Sequence, residues 1–155
     1  MEIKVSITRD TATPHLKAWI RKLQNPQQAF RAIGQRVVDM SKQAFSDASK
    51  RPSPWAALSA RTLARKAAKG QGSSPLIASG TMARSPRVIT SSSTYVTVGA
   101  DRKAGKYSLA AIHQLGAPKA GIPARPFFPI DANGKISAPA DKAIVAIIKS
   151  KLGPP

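Results

Sequence analysis

The chain has 155 residues, 42% hydrophobic but only 5% aromatic, and no cysteine. That leaves room for one domain with a thin core, and it excludes disulfides, thiolate metal sites and a cysteine nucleophile together. With 25 basic against 7 acidic residues the formal charge is +18, and from Ala48 to Ala100 eight basic residues stand without a single acid, so this middle must face solvent, a polyanion or an acidic protein surface.

In chain order, residues 2–8 alternate Ile3, Val5 and Ile7 with Glu2, Lys4 and Ser6, the pattern of a half-buried strand. Thr13-Pro14 opens a short helix with Leu16, Trp19, Ile20 and Leu23 at spacings of three and four. Asn25-Pro26 restarts the count: Asn25 suits an N-cap, Pro26 the first helical position, and Gln28 a capping box. The helix that follows should run to about residue 47, with Phe30, Ile33, Val37, Val38, Ala44 and Phe45 on one stripe.

Pro52 and Pro54 end that helix. Residues 49–75 read as a flexible basic loop region, interrupted by a short basic helix that Ser59 caps and that runs through Lys66. Low hydrophobicity at 70–75 predicts weak order there. A turn at Ser79-Gly80 precedes two β-rich runs, Arg87–Thr90 and Tyr95–Val98, joined by three serines as a hairpin. Tyr107–Leu115 is near-helical and stopped by Gly116. Three prolines hold Ile122–Ile130 extended. A last helix, 139–152, should turn Ile144, Val145, Ile147, Ile148 and Leu152 inward. This order predicts an α+β fold, a small antiparallel sheet packed against a long helix, with a C-terminal helix and long loops.

Catalytic patterns are missing. The acids Glu2, Asp10, Asp39, Asp47, Asp101, Asp131 and Asp141 are scattered, with no spacing that pairs two in one pocket. His15 and His113 begin no HxxxH or HxxH spacing, which argues against zinc. There is no G-x-S-x-G elbow. "GADRKAGKY" fails as a phosphate loop, because five residues rather than four separate Gly99 from Gly105 and Tyr107 stands where a magnesium-binding hydroxyl is needed. His113 sits beside Ile112 on an apolar helix face and reads as a packed histidine rather than a general base. No catalytic residue, cofactor or metal is assigned, and the chain is not expected to be an enzyme. No opening segment resembles a signal peptide, and no window approaches the roughly 18 apolar residues of a membrane span, so a soluble protein without a membrane partner is expected.

Nucleic-acid binding is the alternative reading. The basic middle could neutralise several phosphates, with Arg61, Arg65, Lys66 and Lys69 as the contacts to DNA or to an acidic surface. Between Trp55 and Tyr95, however, no aromatic is available to stack on bases, so only nonspecific contact is expected.

Five segments in order carry a resemblance: "SPWAALSARTLARK" (53–66), "PLIASGTMARS" (75–85), "YVTVGAD" (95–101), "YSLAAIHQLGA" (107–117) and "IPARPFFPID" (122–131). Together they resemble the phage virion morphogenesis, or tail completion, family of Mu-like and P2-like phages. The resemblance implies one structural domain spanning 1–155 that completes the tail or joins it to the head. It also implies a homo-oligomeric ring of about six copies, with the tail tube and the head–tail connector as partners, located in the virion neck and in the host cytoplasm during assembly. On this reading "HQLGAPKAGIPARPFF" is a docking element stiffened by its prolines. Arg125 offers a planar fork to a neighbour, and Trp55, His113, Gln114, Phe127 and Phe128 are expected with it at a subunit or partner interface. The basic face is expected to meet packaged DNA or acidic neighbours.

Overall fold

The computed structural model of the chain describes residues 12–131 and 133–154; the strand expected at 2–8 lies outside them. The first helix, α1 (Ala12–Gln24), is closed by the Asn25 amide, which donates to the Arg21 carbonyl at 3.3 Å. Asn25 therefore finishes one helix and does not cap the next. The second, α2 (Gln27–Ser46), starts on Pro26, whose carbonyl accepts from the Ala29 and Phe30 amides, and no side chain caps it. The expected capping box is absent because the break between the helices is too tight to free Asn25.

Along α2 the fully buried positions are Ala29, Gly34, Val38, Ser41, Ala44 and Phe45, while Phe30, Ile33 and Val37 are half-buried. The buried stripe thus favours small residues, and the reason lies in what crosses it. The hairpin of β1 (Pro86–Ser91) and β2 (Val96–Ala100) packs on α2, antiparallel with Val88 opposite Val98 and a bulge between Val88 and Thr90. A methyl on Gly34 would lie 2.5 Å from Val96 Cγ2 and 3.0 Å from Val88 Cγ2. The bare helix backbone lets the sheet approach.

After a 3-10 turn at Ala48–Lys50, helix α3 (Ala60–Ala67) begins as expected, with Ser59 Oγ accepting from the Thr62 amide. Besides 3-10 turns at Ala48–Lys50 and Pro118–Ala120, two short elements went unread in the sequence. One is the single-turn helix α4 (Thr81–Arg84), entered through Gly80 in a left-handed conformation at φ 72°. The other is a two-stranded ribbon, β3 (Lys103–Ala104) with β4 (Tyr107–Ser108), in the segment that failed as a phosphate loop. Helix α5 (Leu109–Leu115) consequently starts two residues later than its periodicity suggested, on Ser108 as N-cap.

The main core is Ala44, Phe45, Met82, Ala110 and Phe127, with Trp55, Leu76, Ile77, Leu109 and Phe128 packed around it. Phe45 is its hub, with ring centroids 5.6 Å from Trp55 and 5.0 Å from Phe127. The last helix, α6 (Ala138–Leu152), packs on α2 and α1. Its burial corrects the expectation of a fully inward face. Only Ala140 is buried, Ile144, Ile147 and Leu152 are half-buried, and Val145 and Ile148 are 40% and 42% exposed. The architecture is α+β, a small antiparallel hairpin on a long helix, as expected.

Candidate docking site

Two layers make up the site: a brace of buried polar side chains and a basic cleft in front of it. The brace starts at Gly116, which ends α5 with φ 80° and whose missing Cβ would lie 2.9 Å from the Ala124 amide nitrogen. Chain 122–131 therefore folds back along α5. There Gln114 satisfies all four of its hydrogen-bonding sites. Its Oε1 accepts from the Phe127 and Phe128 amides, each at 3.0 Å, and its Nε2 donates to the Phe128 and Ile130 carbonyls at 3.4 and 3.1 Å.

Arg125 closes the other side. Its amide donates to the His113 carbonyl, and its Nε and Nη2 donate to the Ala56 and Ala57 carbonyls at 2.8 and 2.9 Å. Trp55 adds Nε1 to the Pro126 carbonyl at 2.7 Å, and Arg51 stacks 4.0 Å over its ring. Residues expected at a subunit interface are thus bound within their own chain. Arg125 is 6% exposed, Gln114 7% and Phe127 1%, and Phe128 stacks 4.8 Å from Phe127 against the same core. Both phenylalanines, expected at an interface, thus lie against the core of their own chain. The planar fork of Arg125, expected to meet a neighbour, closes on carbonyls of this chain.

In front of the brace lies a cleft of about 760 Å³ between α3, residues 76–82, α5 and residues 121–125. Leu58, Leu76, Ile77, Leu109 and Ile122 give it an aliphatic floor, and Arg65, Lys69 and Arg102 give it a cationic rim. No acid lines it. Leu76 holds φ 60°, a conformation unfavourable for a residue with a Cβ.

Along α3 and into the turn that follows it, Arg61, Arg65 and Lys69 recur every fourth residue and are all exposed on one face. Lys66 leaves that face. It is 8% exposed, and its Nζ donates at 2.6 Å to both the Ser74 and Ile77 carbonyls. The expectation of Lys66 as a DNA or acidic-surface contact is therefore corrected. It tethers the chain at Ser74 and Ile77, and so holds the 70–75 stretch whose composition had suggested weak order. The spacing alone could have separated Lys66 from the other three. Arg102 is the rim residue that sequence reasoning missed, because only the β3–β4 ribbon brings it here.

His113 also lines the cleft, at the back. Its Nδ1 is buried without a hydrogen-bond partner. Burial first, and the Arg125 charge second, push the imidazole pKa below its ordinary value, so the ring favours the neutral form. Among the described residues no cluster of His, Asp or Glu could hold a metal ion, and none of their helices is long and apolar enough to cross a membrane.

The chain belongs to the phage virion morphogenesis family, whose sequence model matches residues 9–152. No curated protein and no solved structure matches it. Membership gives the chain a structural role in building the phage virion.

Proposed function

We propose that this chain is a head–tail neck protein that completes the tail, closing as a ring of about six copies that caps the tail tube and receives the head connector. The observation that carries the reading is the uncovered stripe on α1. Leu16, Ile20 and Leu23 share one helix face and are 53%, 50% and 49% exposed. On the opposite side Ala18, Arg21 and Lys22 share a small cleft with Gln28 and Leu152, and the Trp19 indole donates to the Leu152 carbonyl at 2.7 Å. The helix is thus anchored by its polar side and by Trp19, while its aliphatic stripe faces outward. Val145 and Ile148 on α6 add further exposed aliphatic surface. In so charged a chain, such a stripe supports burial against another subunit.

Light scattering with negative-stain imaging tests the reading, on the protein alone and with purified tail tubes. A ring in either sample, lost in Ile20→Glu with the circular dichroism unchanged, is the expected result. A wild-type chain that stays monomeric in both samples would end the proposal.

A further inference from the structure

No residue of α1 lines the basic cleft, which lies between α3, α5 and residues 76–82 and 121–125. We infer that it is a docking groove for an extended segment of a different protein, one that alternates acidic and aliphatic side chains.

Three observations select that occupant. First, Arg65, Lys69 and Arg102 are exposed on the rim, and none makes an ion pair or a side-chain hydrogen bond. The ion pair among the described residues, Arg87 to Asp101 at 2.8 Å, is formed elsewhere. Carboxylates brought from outside would find free guanidinium and ammonium donors there. Second, the floor is aliphatic, from Leu58 and Leu76 to Ile122. Phosphodiester backbone gains nothing from such a floor, and no Phe, Tyr or Trp lines it to stack bases. A cleft of about 760 Å³ also takes a short peptide and not a duplex. Third, the occupant is not another copy of this chain. With seven acids in 155 residues, and none between Ala48 and Ala100, the chain lacks an acidic aliphatic run of its own.

The groove is also held in shape before anything binds. Lys66 fixes one wall through the Ser74 and Ile77 carbonyls, and Arg125 fixes the other through Ala56 and Ala57. The two most buried cations thus build walls and leave the exposed three for a ligand. Preformed walls lower the ordering cost of binding.

The probe is a short dye-labelled peptide of alternating aspartate and leucine, titrated with the full chain and read by fluorescence anisotropy. Saturable binding is expected, weakened about tenfold or more in Arg65→Glu combined with Arg102→Glu. A matched reversal away from the cleft, Lys42→Glu with Lys142→Glu, should leave it nearly unchanged. Equal loss in both double variants would show general attraction to a positive chain and overturn the groove. So would equal affinity for an all-aspartate peptide of the same charge, because the floor would then be idle, and so would no binding at all. The inference stands apart from the ring: a monomer that binds the peptide supports the groove and counts only against the ring.

Discussion

Arg125 and Gln114 do with side chains what an extra strand would do with backbone. Between them they hold the 122–131 segment to α5 and to residues 56–57 through six hydrogen bonds, none involving a carboxylate. Losing one partner of a buried bond costs more than the bond contributes, because the other is left without water. Arg125→Ala should therefore lower the unfolding free energy by about 3 kcal/mol in urea titrations. Arg125→Lys should recover less than half, since an ammonium on a flexible stem cannot reproduce the planar fork. An unchanged urea midpoint together with lost assembly would return Arg125 to a partner interface. His113 permits a second test. Its folded pKa lies below the unfolded value of about 6.5, so the unfolded chain binds the proton more readily. Its contribution to stability is complete above that value and is lost as the pH falls from there towards the folded pKa. Melting temperature should drop on acidification below about pH 6.5, with a shallower slope in His113→Leu. Identical slopes would remove His113 from the account. Gln114, Arg125 and Trp55 were each singled out from the sequence, but their direction was not. A loop has no period to separate inward from outward positions, and an arginine fork fits its own carbonyls as well as a neighbour's.

Elements were legible in proportion to their length. The long α2 and α6 follow from sustained periodicity and the hairpin from two β-rich runs joined by serines, whereas α4 and the β3–β4 ribbon are too short to show a period at all. The stripe on α2 was displaced towards small residues for a reason visible only in three dimensions: the hairpin crosses at Gly34. Gly34→Ala makes that crossing testable. In an isolated helix alanine is favoured over glycine by about 1 kcal/mol. Here the added methyl meets Val96 and Val88, β-branched side chains with little rotamer freedom. Overpacking should win, and the variant should be less stable by about 1–3 kcal/mol in thermal or urea unfolding. A more stable variant would mean that the hairpin can lift from α2 at little cost.

At the scale of the whole molecule the charge of +18 acts on every association, and with opposite signs for different partners. Copies of this chain repel one another, so the proposed ring, held by Leu16, Ile20 and Leu23, would form against electrostatics. Added salt screens that repulsion over a Debye length of about 10 Å at 0.1 M and leaves aliphatic burial in place. Self-association should therefore strengthen as salt rises through the physiological range. Binding to nucleic acid by the exposed face of Arg61, Arg65 and Lys69 should do the reverse, its logarithm falling by about 0.9 per phosphate neutralised for each logarithm of salt. One salt series, with mass read by light scattering and random duplex DNA read by anisotropy, places both trends on the same axis. If mass falls as salt rises, the subunit contact is ionic and the α1 stripe does not hold it. Such a contact would have to draw on seven acids per chain, of which Asp101 is already paired with Arg87. The poverty of acids that leaves the cleft without an internal partner thus also favours an apolar ring contact.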